Sequence, residues 1–165
     1  MKISFVVALM VVGLMFVLAS CDSQHNSAVK LREMIQSGDS SGVSQLIAAN
    51  PSLIEADMNQ DRKEKLTPLS LAAALGQDDV CKVLIGAGAK VNVQDKFGLT
   101  PLHKAVSIAD TNMIHMLLKS GADVTMRNGQ DETPLDFARD RVPNGIIRGN
   151  ILDMMTNSFS STRKP

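Results

Sequence analysis

Apolar residues follow three regimes along this chain. From Ile3 to Ala19 they run almost unbroken. Over residues 22–28 they nearly vanish. From Val29 onward they recur in short blocks at helical spacing, separated by polar turns. The block Val80, Cys81, Val83, Leu84, Ile85 returns at a period of 33 as Met113, Ile114, Met116, Leu117, Leu118. Its i, i+3, i+4 spacing predicts one buried helical face. Thr-Pro-Leu begins at Thr67, Thr100 and Thr133, at the same period. A fixed period of this length means stacked supersecondary units.

Each unit carries its own punctuation. Thr67, Thr100 and Thr133 suit helix N-caps, whose hydroxyl accepts a bond from an orphan backbone N–H. Pro68, Pro101 and Pro134 suit the first helical position, where a missing N–H costs nothing. Asp136 stands where a carboxylate meets a helix N-terminus. Leu69, Leu102 and Leu135, with Ala72, Ala105 and Ala138, share one helical face, and the alanines allow close helix approach. Gly88-Ala89-Lys90-Val91 and Gly121-Ala122-Asp123-Val124 read as glycine helix stops. Asp95-Lys96-Phe97-Gly98 and Asn128-Gly129-Gln130-Asp131 read as matching turns.

The ends of the array are less regular. Gly38 aligns with Gly76 and predicts first-unit helices over Ala28–Ser37 and Gly42–Ala49. Asn50 takes the helix-ending place of Gly88 and Gly121, where Asn tolerates the left-handed conformation, and Pro51 stops continuation. Gly38-Asp39-Ser40-Ser41-Gly42 has the form of a nucleophile elbow, but helical spacing precedes it, so it reads as a helix–helix turn. Residues 55–66 form a charged connector expected to project and be mobile. Val142-Pro143-Asn144-Gly145 breaks the last unit, after which Ile147, Ile151, Leu152 and Met155 keep helical spacing over the stack end.

Three in-register Thr-Pro-Leu triplets, Thr100-Pro101-Leu102-His103-Lys104-Ala105 and the Gly-Ala-x-Val ends resemble the ankyrin repeat. The resemblance covers residues 62–140 well and 28–54 and 141–157 loosely. Ser70 and Asp136 replace its His, and Asp131 replaces its turn Gly. It implies an all-α ankyrin-repeat solenoid of about four helix-turn-helix units with projecting β-turn fingers. The expected organisation is an N-terminal capping unit at 29–61, repeats at 62–94 and 95–127, a C-terminal capping unit at 128–157 and a tail at 158–165. His103, as the motif His, is implied to bond the turn backbone.

The leading segment has its own logic. Lys2 precedes seventeen mostly apolar residues, and small residues follow. At 1.5 Å per residue these span about 25 Å, short of the roughly 30 Å hydrocarbon core, so a secretory signal over residues 1–20 fits better than an uncleaved anchor. Leu18-Ala19-Ser20-Cys21 resembles the lipobox of bacterial lipoproteins. That implies lipidation of Cys21, a polar tether over 21–28 and a periplasm-facing lipid-anchored address. Asp22 resembles a signal for retention in the inner membrane.

Composition then narrows the chemistry. The 165 residues carry 17 Lys and Arg against 17 Asp and Glu. Losing Lys2 with the leader leaves 16 against 17, so no basic field is available for nucleic acid. There is no Trp or Tyr and only five Phe, which removes stacking platforms for bases or sugars. Cys81 is the only Cys besides Cys21 and stands at a core position, so it reads as a small buried hydrophobe. His25 lies in the tether and His115 on an outer polar face. Three scattered His make no metal set, and no catalytic motif appears, so neither enzyme activity, nor a cofactor, nor a small-molecule substrate is expected.

Ankyrin repeats resemble protein-binding modules that use turn tips and first-helix faces on a concave side. The positions that packing leaves unconstrained there are Lys63, Glu64, Leu66, Ala74 and Leu75; Lys96, Phe97, Leu99, Ser107 and Ile108; and Gly129, Gln130, Glu132, Asp140 and Arg141. Leu66, Leu75, Phe97, Leu99 and Ile108 are apolar where water would be met, which marks an interface unless they pack on neighbouring turns. The expected partner is a protein on the concave face. Small size, export and missing chemistry suggest an immunity protein that neutralises a secreted antibacterial toxin of lipase type. A helper for a resident periplasmic enzyme, as some bacterial ankyrin proteins near catalase genes suggest by resemblance, or an envelope assembly factor, are the alternatives.

Overall fold

The structure is a computed structural model that describes residues 26–58 and 66–161. The signal, Cys21, Asp22, His25 and the connector residues Lys63 and Glu64 lie outside the described residues. Among the described residues eight α-helices follow one another: α1 over 26–37, α2 Ser40–Ala49, α3 Pro68–Ala74, α4 Asp78–Gly86, α5 Pro101–Ser107, α6 Thr111–Lys119, α7 Pro134–Arg141 and α8 Gly145–Ser161. A 3₁₀ turn, Pro51–Glu55, follows α2, and no strand occurs among the described residues.

The helices form two rows. α3 packs on α5 and α5 on α7, while α2, α4, α6 and α8 stack in the same order behind them. Within a unit α3 meets α4, α5 meets α6 and α7 meets α8. The alanine row makes the front stack possible: Ala72, Ala105 and Ala138 are each fully buried. No larger residue at those points lets backbones approach as closely. Behind them Cys81, Leu84, Ile114 and Leu117 fill the space between rows without exposure. Leu135 is only half-buried: among the described residues no further first helix covers α7 as α7 covers α5.

Caps fall where the period places them. Thr67, Thr100 and Thr133 each accept from the backbone N–H three residues on, and a proline begins each helix. The His of the motif and its replacement serve one end: the His103 ring nitrogen Nδ1 accepts from Thr100 N at 3.2 Å, and Asp136 Oδ2 accepts from Thr133 N at 3.0 Å. Both close a capping box, which satisfies two orphan donors at once. Ser70, the other replacement, stands beside Thr67 Oγ1 at 3.2 Å.

Several local expectations change. α1 is already helical at residue 26, inside the expected tether, and α2 begins at Ser40 with Asp39 as its cap. Asp39 Oδ1 accepts from Gly42 N at 2.8 Å, so the elbow-like stretch is a helix–helix turn. Asn50 is not left-handed: φ is −137°, and the chain enters the 3₁₀ turn directly. Pro51 at the start of that turn explains this, since a residue before proline is pushed toward extended geometry. α8 runs to Ser161, past residue 157 where the domain was expected to end. The described ends of the connector are tied rather than loose: Met58 N donates to Leu66 O at 2.7 Å, and Met58 is buried.

Among the described residues two that are not glycine stand in the left-handed region, Ala109 at φ 57° and Asp131 at φ 64°. Each lies one full period after a glycine that holds the same conformation, Gly76 and Gly98. The repeat therefore keeps its backbone where the side chain makes it costly.

Candidate functional site

The fingers between units are built by one device. Asp95 Oδ1 accepts from Phe97 N and Leu99 N, both at 2.9 Å, and Asp95 N donates to Leu99 O. One period later Asn128 Oδ1 accepts from Gln130 N and Glu132 N at 2.9 and 3.0 Å. A short side-chain acceptor that holds the amides two and four residues on explains Asp or Asn at this place. The other oxygen of Asp95 takes Lys104 Nζ at 2.6 Å, with both side chains largely buried. That pair anchors the first finger to α5.

His103 anchors the second. Because Nδ1 accepts from Thr100 N, the ring proton belongs on Nε2, which donates to Glu132 O at 3.1 Å. Burial holds the His103 pKa below its ordinary 6.5, and the bond to the Glu132 carbonyl opposes that only in part. The ring meets Phe137 edge to face, with centroids 5.7 Å apart. The two fingers are also joined, since Gly129 N donates to Phe97 O at 2.7 Å.

A cleft of about 390 Å³ opens between these fingers and α7. Lys96, Phe97, Leu99, Gly129, Gln130 and Arg141, all read from the sequence as candidate contact positions, line it, together with Asn128 and Phe137. Phe97 is 61 % exposed, with Lys96 Nζ 4.7 Å from its ring centroid. Arg141 lies over the Phe137 ring at 4.3 Å and donates to Gln130 Oε1 at 3.2 Å and Glu132 Oε2 at 3.3 Å.

Not every predicted position is available. Leu66 is half-buried and packs against the core, so it supports its turn rather than stands open, and Leu99 packs against the core with only part of its side chain left to the cleft. Glu132 holds its own finger: Asn128 Nδ2 donates to it at 3.0 Å, and that bond, with the nearby Arg141, lowers its carboxyl pKa. Ser107 Oγ donates to its own helix, to Lys104 O at 2.7 Å. Asp140 is exposed on α7 but does not line the cleft. Leu75 and Ile108, exposed by 46 % and 44 %, stand outside the cleft at the ends of α3 and α5. With Arg141 they occupy one repeat position in three successive units.

Phe137, half of the cleft's aromatic lining, was not among the predicted positions. Its signal was the row Leu71, Lys104, Phe137 at the repeat period: Lys104 reaches a finger residue, so this row faces the fingers. A second cleft, about 320 Å³, lies between residues 124–127 and α8 and is lined mainly by apolar groups such as Val124, Leu135 and Met155. Among the described residues no group of three or more His, Cys, Asp or Glu is placed to hold a metal ion. No helix among them is long and apolar enough to cross a membrane.

No curated protein matches the chain significantly. A family model of ankyrin repeats, three copies, matches residues 28–128 and so takes in the irregular first unit but stops before the fourth unit's Thr-Pro-Leu helix. That match spans more than half of the 165 residues, and the stacked helix pairs and fingers agree with it, so the chain belongs to the ankyrin-repeat family of protein–protein interaction modules.

Proposed function

We propose that this protein is a membrane-tethered, periplasm-facing module that grips a protein partner between its fingers and α7. The observation that carries the binding site is the cleft walled by Phe97, Lys96 and Arg141, an apolar ring flanked by charge at a finger tip. Ankyrin-repeat proteins are generally binding modules rather than enzymes, and the cleft supplies contact area and charge. Cys21 carries the lipid in this reading. Its support is the order of Lys2, apolar run, small residues and Cys in the sequence. Two or more acyl chains on that residue would anchor it stably, and Asp22 would keep it at the inner membrane. The partner proposed is a secreted antibacterial toxin, of lipase type, that the protein neutralises.

Cross-linking followed by pull-down from membranes tests the binding site. Partners should be captured by the wild type and lost from the Phe97→Asp variant; full retention refutes the site. Palmitate labelling tests the anchor, which fails if Cys21→Ser still takes up label. Deleting the gene tests the role. Killing by sister cells supports immunity, while loss of one periplasmic enzyme's activity, or altered cell shape, replaces it with a helper or an assembly factor.

A further inference from the structure

We propose that Asn144-Gly145 is a site of spontaneous modification, at which water converts the asparagine to isoaspartate and aspartate and so undoes the start of α8. The pair is not part of the finger cleft, and its chemistry does not depend on what that cleft holds.

The reaction needs no catalyst. The Gly145 amide nitrogen attacks Asn144 Cγ and gives up its proton, and the side-chain nitrogen leaves as ammonia. A cyclic succinimide results, and water then opens it at either of its carbonyls. Opening at Cγ leaves aspartate. Opening at the backbone carbonyl carbon leaves isoaspartate, whose main chain runs through the former side chain and is a methylene longer. Nothing is oxidised or reduced, and water is the co-reactant. A side chain on the following residue hinders the attack, which makes Asn-Gly the reactive pair. The sequence holds that pair twice, at Asn128-Gly129 and Asn144-Gly145, and every other asparagine precedes a residue with a side chain.

The fold treats the two pairs differently. Asn128 is buried. Its Oδ1 accepts from Gln130 N and Glu132 N, its Nδ2 donates to Glu132 Oε2, and the nitrogen that would attack, Gly129 N, is bonded to Phe97 O. These four hydrogen bonds, and with them the join between the fingers, must open first. Asn144 and Gly145 are exposed, and a Cβ added to Gly145 would meet no heavy atom within 4 Å. Two bonds hold the Asn144 side chain, from Ile146 N at 3.0 Å and Ile147 N at 3.3 Å to Oδ1. As the first residue of α8, Gly145 has no intrahelical acceptor for its N–H. Gly145 and Gly149 both weaken the opening turns, and Ile146 is 78 % exposed, so this end of the helix opens readily.

The product matters because Asn144 caps α8. Besides the two amides on its side chain, its backbone oxygen accepts from Arg148 N at 2.8 Å. Aspartate keeps these acceptors in place and suits a helix N-terminus. Isoaspartate sets them on a lengthened backbone, out of register with their amides, and the first turn comes loose. α8 packs on α6 and α7 and buries Ile151 and Met155, so the loosening reaches the end of the core.

The full-length protein, aged in detergent and mildly alkaline buffer and then digested with trypsin, tests this. The pairs fall in separate peptides, 128–139 and 142–148, and mass with retention time distinguishes asparagine, aspartate and isoaspartate. Four bonds guard one pair and two the other, and each extra bond is worth a factor of roughly five, so folded Asn144 should convert about tenfold faster than Asn128 or more. In denaturant the two rates should converge. Gly145→Ala, whose added carbon meets open space, should fold like the wild type and lose most of the conversion. Asn144→Asp brings the charge without the extra methylene and should keep the wild-type melting temperature, whereas aged wild type should melt lower as isoaspartate accumulates. Conversion of folded Asn128 as fast as Asn144, a ratio that denaturant leaves unchanged, or undiminished conversion in Gly145→Ala would each overturn the site. An isoaspartate-rich sample that melts like fresh protein would overturn its effect on α8.

Discussion

Replacing Gly98 by alanine should damage this protein far more than the same change at Gly88. Both glycines are left-handed, at φ 72° and 94°. Alanine in that region costs about 1–2 kcal/mol, of which roughly 0.4–1 returns through the stiffer unfolded chain. Gly88 has no heavy atom within 4 Å of an added Cβ, so its variant should lose only the balance, about 0.5–1 kcal/mol. At Gly98 the added carbon would stand 2.7 Å from Gly129 N and 2.9 Å from Asn128 C. Those are backbone atoms of the next finger and cannot rotate away. The finger must shift, at roughly 1–3 kcal/mol for overpacking, and the Gly129 N–H bond to Phe97 O is lost, at about 0.5–1.5. The difference between the two variants is then about 1.5–4.5 kcal/mol. Urea denaturation at constant m-value measures both. Costs within about 0.5 kcal/mol of each other, the usual scatter of independent sites, would show that the fingers do not bear on one another.

Asp131→Gly restores the residue type that holds this conformation at Gly98 and should raise stability by about 0.5–1 kcal/mol, read as a higher melting temperature. It gives up only an exposed ion pair to Arg127 at 3.5 Å, which is worth little. Because the folded His103 titrates below 6.5, the unfolded chain takes up its proton first. Stability should therefore be full above pH 6.5 and decline as pH falls below it, by at most about 1.4 kcal/mol per pH unit, and His103→Ser should flatten that part of the profile. Burial, then Asp78 and Asp110, push the Cys81 thiol up to about 12, so a thiol reagent should fail to label it at pH 8 until denaturant unfolds the array. Rapid labelling of the native protein would contradict its placement between α4 and its neighbours.

The period explains why so much was legible beforehand. A residue that recurs at the same place in every unit must do the same job in each, so the Thr caps, the Pro starts, the alanine row and the core placement of Cys81 could be read without coordinates. What escaped are contacts that differ between units. Leu66 and Leu99 look free because turn tips are commonly exposed, yet the core reaches up to them. Glu132 and Arg141 look like two surface charges, and only folding brings them together at 3.3 Å. Asn50 shares a place with two glycines but is followed by proline, and that local constraint outweighed the register. The cleft itself needs Phe97 from one finger, Gln130 from the next and Phe137 from a helix, a convergence no single repeat contains.

The bond from Gly129 to Phe97 has a kinetic meaning as well. It sets one finger against the other in the free protein, so a partner that docks in the cleft, as proposed above, would meet a wall already in place. Encounter then requires no refolding of the receptor. Association should be a single phase whose observed rate rises linearly with partner concentration, with a rate constant of the order of 10⁵–10⁷ M⁻¹s⁻¹. Differences between partners, and between cleft variants, would appear in how long each complex lasts rather than in how fast it forms.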